Sequence, residues 1–217
     1  MSAIDNENLK IGLVVMASGL SKRFGSNKLV AELAGKPLIR WVLDVTEDLF
    51  DRRVVVTRSD EVKSLCESLH VDCILHKFPN RNDTVRLGLN ALMGDVDYCF
   101  FTPGDQPLIS RDSIIKLICE AKTHRDSIIR TSFGYTVGSP AGFPRSLFDE
   151  LLNLPEGKGG GFIINNREEI VRKVEVESKY ELFDVDTTED LGIVEAIVTR
   201  DGAFATKKCF TVTIRCT

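Results

Sequence analysis

Ile11-Gly12-Leu13-Val14-Val15-Met16-Ala17-Ser18-Gly19-Leu20-Ser21-Lys22-Arg23-Phe24-Gly25-Ser26-Asn27-Lys28 is the stretch that decides how this chain folds. Its first part, Ile11 to Ala17, is an apolar run that ends in small residues and Gly19. Such a run, without polar alternation, reads as a strand covered on both faces, the habit of parallel sheets. A loop rich in Gly, Ser, Lys and Arg continues to Lys28. Open α/β sheets bind ligands outside the carboxyl ends of their strands, so this loop lies where a ligand is expected. The small residues Ala17, Ser18 and Gly19 let backbone N–H groups approach an anion closely. Lys22, Arg23 and Lys28 add charge at a spacing suited to a polyphosphate. The segment is not a Walker loop, since no Gly-Lys-Ser/Thr follows four spacers, and Gly19 and Gly25 lie six apart rather than in a dinucleotide fingerprint.

Outward from this loop, strands and helices alternate. Pro37 opens a helix-period stretch through Leu38, Ile39, Trp41, Val42 and Val45. Arg53 to Thr57 reads as a strand, Glu61 to Leu69 as a helix, Val71 to Leu75 as a strand, Thr84 to Met93 as a helix and Val96 to Thr102 as a strand. The alternation predicts a three-layer α/β/α sandwich with a mostly parallel, Rossmann-like sheet. Further on, Ser127 to Val137 reads as a hairpin or paired strands, and Arg145 to Leu154 as a helix. Lys158 to Gly161 is a Gly-rich turn before another helix. Strands are expected at Val171 to Glu177 and near Tyr180 to Val185, and a helix at Thr188 to Val198, with Thr187 or Thr188 as N-cap. Residues 1–198 read as one domain, and 199–217 as a tail whose role the sequence does not fix.

Composition narrows the function classes. The chain has 217 residues, 43% of them hydrophobic and 28% charged, with 28 Lys and Arg against 32 Asp and Glu. That length suits one α/β domain. A weakly acidic chain without a basic block is not organised to bind nucleic acid. No apolar run reaches the roughly 20 residues that span a bilayer, and the polar, acidic start, Met1 to Lys10, lacks the features of a signal peptide. The six cysteines, Cys66, Cys73, Cys99, Cys119, Cys209 and Cys216, are scattered without a Cys-x-x-Cys pair, and read as reduced thiols of a cytoplasmic protein.

Two further motifs carry chemistry. In Phe101-Thr102-Pro103-Gly104-Asp105-Gln106-Pro107, an apolar strand delivers one carboxylate to the sheet edge. A single strand-end Asp suits Mg²⁺, which takes one or two protein carboxylates beside substrate phosphates; a turn-shaping role is the alternative. In Phe183-Asp184-Val185-Asp186-Thr187-Thr188-Glu189-Asp190, two carboxylates share a face if the segment is extended. Either Asp186 completes a metal site, or both cap the helix that follows.

In this order, the motifs resemble the molybdenum cofactor cytidylyltransferase family, nucleotidylyltransferases of the glycosyltransferase-A-like superfamily. Met16 to Lys28, with Gly35-Lys36-Pro37-Leu38, is similar to the family's opening. Gly104-Asp105-Gln106-Pro107 is similar to its metal motif, and Asp184-Val185-Asp186-Thr187 with Glu189-Asp190-Leu191 to its late acidic motif. Gly138-Ser139-Pro140, Phe143 and the Gly159-Gly160 turn are similar to its acceptor-side segments. The resemblance implies a Mg²⁺-dependent enzyme that moves CMP from CTP to molybdopterin. Ala17, Ser18, Gly19, Arg23, Lys28, Thr84 and Gly104 would then bind nucleotide, Arg23, Lys28 and Asp105 serve catalysis, and Asp105 with Asp186 hold the metal. Ser18 stands where guanylyl members have Gly and cytidylyl members Ala, and its bulk favours CTP. The family's Gly-Asp-x-Gly-Gly-Arg turn is here Glu156-Gly157-Lys158-Gly159-Gly160-Gly161, without the Arg.

The implied reaction needs no protein base, because the attacking phosphate is already anionic. His70, His76 and His124 are accordingly read as surface residues. Two other readings share the motifs: a cytidylyltransferase for a sugar or polyol phosphate, and a non-catalytic cofactor-binding module serving a molybdenum hydroxylase. A nicotinamide dehydrogenase does not fit, since its glycine fingerprint is missing.

Overall fold

The computed structural model describes residues 9–200. In chain order the elements are β1 (Ile11–Ala17), β2 (Glu32–Leu33), β3 (Lys36–Pro37), α1 (Leu38–Val45), β4 (Arg52–Thr57), α2 (Asp60–Ser68), β5 (Cys73–Leu75) and α3 (Arg81–Leu92). There follow β6 (Tyr98–Pro103), α4 (Arg111–Thr123), β7 (Ile128–Phe133), β8 (Thr136–Pro144), α5 (Phe148–Leu152), α6 (Gly161–Asn166), β9 (Val171–Glu175) and α7 (Thr188–Arg200). The seven-stranded sheet runs β5-β4-β1-β6-β8-β7-β9, and β2 and β3 form a separate ribbon. Only β8 runs against its neighbours.

Alternation along each strand feeds two apolar layers. On one side Leu13, Val15, Val55 and Phe100 meet Ile39 and Val42 of α1, Val62 of α2, and Ile114, Leu117 and Ile118 of α4. On the other, Val14, Val56, Phe101 and Phe143 meet Val85 and Leu89 of α3, Leu151 of α5, and Ile163 of α6. A third cluster, with Trp41, Leu108, Val185 and Val194, docks α7. This is the expected three-layer sandwich. Fully burying a Leu or Val side chain contributes about 1.5–3 kcal/mol, so β1, buried at Leu13, Val14 and Val15, anchors both layers.

Several expectations shift in detail. The hairpin at Ser127 to Val137 is β7 with β8, and β8 continues to Pro144. Arg145 to Leu154 divides into a 3-10 turn, Arg145–Leu147, and α5. Tyr180 to Val185, read as a strand, is instead a 3-10 turn at Lys179–Leu182. There Glu181 is buried and accepts the backbone N–H groups of Ser110 and Glu177, which ties the segment to α4 rather than to a sheet. Helix α4, for which the sequence reading assigned nothing, starts at Ser110, whose Oγ accepts from Ser113 N.

Thr187 caps α7 reciprocally: its Oγ1 accepts from Asp190 N, and the Asp190 carboxylate accepts from Thr187 N. The helix passes residue 198 and is described as far as Arg200; the tail at 201–217 lies outside the described residues. Cys66, Cys73 and Cys99 are free thiols, whereas Cys119 is disulfide-bonded, against the expectation of reduced cysteines. No helix among the described residues is long and apolar enough to cross a membrane.

Candidate active site

The chain leaves β1 for β4 on one side, and β6 lies on the other. Between β1 and β6, therefore, the outgoing connections diverge, the switch point at which open sheets form a crevice. Three segments meet there. Gly104 N donates to Met16 O at 3.0 Å, which joins the end of β6 to the end of β1, and Val185 N donates to Asp105 O at 3.0 Å, which joins the late acidic motif to both. Gly104 packs on Leu29 and Ile39, which a Cβ there would meet at 3.4 Å.

A cleft of about 510 Å³ opens over this junction. Of the residues the sequence singled out, Ser18, Gly19, Arg23, Lys28, Thr84, Asp105 and Asp186 line it. Ala17 and Gly104 do not; both are buried behind it, as part of its frame. The loop keeps its shape through Ser21 and Gly25, both at positive φ, and through Phe24 N donating to Ser21 O. Asn27 Oδ1 accepts from Leu29 N and starts the short 3-10 turn that carries Lys28 inward.

Lys28 is the electrostatic centre. Its side chain is only 8% exposed, and its Nζ lies 2.5 Å from Asp105 Oδ2 and 2.9 Å from Asp186 Oδ1. Burial alone would lower its pKa, the largest single effect, but Asp105 and Asp186 together hold it above the ordinary lysine value. Asp186 is held below the usual carboxylate range, first by its hydrogen bond from Lys28 and then by the Lys28 and Arg23 charges. Arg23 Nη2 donates to Asp186 Oδ2 at 2.6 Å, but its side chain is 71% exposed, so that pair adds little stability. Asp184, which also lines the cleft, is pushed up by desolvation and then by the Asp105 charge.

These carboxylates fit a divalent metal. Asp105 and Asp186 converge on one cation, the Lys28 ammonium, and hard oxygen donors suit Mg²⁺ or Mn²⁺. Among the described residues no group of three or more acidic, His or Cys side chains is close enough to hold an ion unaided. An ion at this edge would draw its other ligands from phosphates and water, as Mg²⁺ commonly does.

Several cleft residues escaped the sequence reading. Arg58, at the end of β4, donates from Nε to Ser18 O at 2.8 Å and fixes the loop's first turn. Its position next to β1 in a parallel sheet was the available signal. Arg81, at the start of α3, also lines the cleft. His76, expected at the surface, is 7% exposed, and its Nε2 lies 2.8 Å from Ser18 Oγ. His70 is exposed as expected, and His124 pairs with Glu120.

A mostly parallel sheet, a basic loop after its first strand and a carboxylate after its central strand define a nucleotidyltransferase-type α/β fold. The chain belongs to the MobA-like NTP transferase domain family, whose model matches residues 13–172. It is 30% identical over 122 residues to a probable molybdenum cofactor guanylyltransferase of Natranaerobius thermophilus, covering 55% of this chain and 58% of that one. Over 108 residues it is 32% identical to a 3-deoxy-manno-octulosonate cytidylyltransferase of Francisella tularensis, covering 48% and 43%. The chain thus spans about half the length of these curated relatives. In fold it is similar to Rv0371c of Mycobacterium tuberculosis, with a TM-score of 0.77 at 22% identity over 87% of this chain and 99% of that one. A manganese complex of the same mycobacterial protein matches with a TM-score of 0.71 at 21% identity over 86% and 98%.

Proposed function

We propose that the protein is a Mg²⁺-dependent nucleotidyltransferase that moves CMP from CTP to a molybdopterin-type acceptor. The observation that carries this is the Lys28 ammonium set between Asp105 and Asp186 at the mouth of the phosphate-sized loop. In the reaction an acceptor phosphate oxygen attacks the α-phosphorus of CTP, the bond from that phosphorus to the bridging oxygen breaks, and pyrophosphate leaves with the electron pair. Lys28 and Arg23 neutralise charge on the departing pyrophosphate, and the Ser18–Gly19 backbone orients the phosphates. Asp105 and Asp186 would hold the metal, which when bound supplies a positive charge to the phosphate oxygens.

CTP is supported by Ser18, by Gly104-Asp105-Gln106-Pro107, and by the cytidylyltransferase relative. A second reading, with GTP as donor, has its own observation. Ser18 Oγ is tied to Val56 O at 3.1 Å and to His76 Nε2, so its hydroxyl is committed to the β4 side rather than free to crowd a base. The guanylyltransferase relative agrees with it.

Asp105→Ala should lower transfer by at least about a hundredfold, the scale of removing a group that stabilises transition-state charge. The circular dichroism spectrum should stay unchanged. A folded variant with near-normal pyrophosphate release would remove Asp105 from the mechanism.

A further inference from the structure

β7 carries one residue at odds with its surroundings. Ile128 and Ile129 are buried in opposite apolar layers, and Arg130 follows on the Ile128 side, under the layer of α3, α5 and α6. Its Nε is buried without a hydrogen-bond partner, and no carboxylate among the described residues pairs with its guanidinium. A guanidinium stays charged at any ordinary pH; Arg130 is half-buried, and its buried Nε donor is left without a partner, which is costly. An arginine in this position is explained when a ligand supplies the missing anion.

The cavity it faces supports that. It measures about 280 Å³, and Arg130, Arg81 and Ser139 are its polar lining, with no Asp or Glu. The rest of the wall is mainly apolar or glycine, with Phe143 and the turn at 159–161. Gly160 must be glycine for the turn to lie where it does, since a Cβ there would come 2.7 Å from the Phe143 ring, and one on Gly159 would press on the Arg81 side chain at 3.0 Å. Met16, Arg81 and Pro103 line both this cavity and the nucleotide cleft, so the two are continuous. Arg81 itself makes no ion pair with an acid among the described residues.

We propose that Arg130 grips an anionic group of the ligand that enters this second cavity, remote from the reacting end. The register sets the distance. Phe101 pairs with Ala141, and Ala141 with Arg130, so Arg130 stands two strand spacings, about 10 Å, from β6. Asp105 lies beyond the end of β6. The group held at Arg130 is therefore not the one attacking beside Lys28; molybdopterin, whose one phosphate attacks, would bring its dithiolene to Arg130. Naming the ligand as the acceptor rests on the transferase reading; the anion site does not.

The test is ¹⁵N NMR of the arginine Nε–Hε groups in the full chain, with CTP filling the first cleft, titrated with inorganic phosphate and, separately, malonate. The Arg130 signal, assigned by its loss in Arg130→Gln, should move and saturate with phosphate, malonate or both, and the responding anion distinguishes a phosphoryl from a carboxylate group. Arg130→Lys keeps the charge but not the fork, and should weaken the affinity by about tenfold or more. An Arg130 signal unmoved by either anion would overturn the proposal. If CTP leaves the Arg23 signal unmoved, the nucleotide reading fails, and the response at Arg130 still decides the anion site by itself.

Discussion

Ser18 and His76 show how much a single contact sets. Ser18 Oγ donates to Val56 O, so the 2.8 Å contact to His76 must carry the proton on His76 Nε2. That leaves His76 Nδ1 as a bare acceptor, buried and unpaired. A second proton would sit on Nδ1, where no partner waits, and burial followed by the Arg58 charge holds the His76 pKa below its ordinary 6.5. The sign follows: in the unfolded chain His76 takes a proton as the pH falls below 6.5, while the folded chain resists it. Stability contributed by neutral His76 is therefore complete above that pH and declines as the pH drops through it towards the folded value. His76→Gln should flatten this decline in urea denaturation midpoints measured from pH 7.5 to 5. Identical slopes in the two proteins would remove His76 from the pH dependence. The burial of His76 was not legible in the sequence. It follows a short strand in a polar stretch, and only the packing of Ser18 and Phe78 around it, with ring centroids 6.1 Å apart for His76 and Phe78, makes it interior. Lys28 and Asp105 were legible, because each follows an apolar strand whose direction fixes where its loop emerges.

At the scale of elements, the closest approach is α3 on β1. A Cβ on Gly88 would meet Val14 Cγ1 at 2.4 Å and Val14 Cγ2 at 2.8 Å. Gly88→Ala would gain up to about 1 kcal/mol in helix propensity, but overpacking costs about 1–3 kcal/mol. The variant should be destabilised, and adding Val14→Ala, which removes both colliding methyls, should cost less than the sum of the two single changes. Denaturation of the four proteins measures that coupling; strict additivity would contradict the contact. The same element view separates what the sequence showed from what it hid. β1, β4, β6 and α3 were readable because an uninterrupted apolar run or a 3.6-residue period dictates burial. Tyr180 to Val185 misled because its apolar residues serve a loop: Val185 joins the cluster under α7, while Glu181 is spent on the backbone N–H groups of Ser110, at the start of α4, and of Glu177. Arg130 reads as an ordinary polar position in a hairpin, and only the sheet order puts it over an apolar layer.

The whole molecule arranges two connected cavities on one sheet edge, one with mixed charge around Lys28, Asp105 and Asp186, the other with two arginines and no acid. That division suits a donor held by its phosphates and a metal, beside an acceptor held by a separate anion. The overall charge of −4 does not reveal it, since the basic side chains matter by where the fold gathers them. The measurement that bears most directly on this account is pyrophosphate release from CTP, GTP and ATP with Mg²⁺, each with and without molybdopterin. The account predicts release from CTP that requires both Mg²⁺ and the pterin. Release from GTP alone would move the donor to the second reading, and no release from any of the three, in a protein that folds and binds CTP, would contradict the transferase with this acceptor.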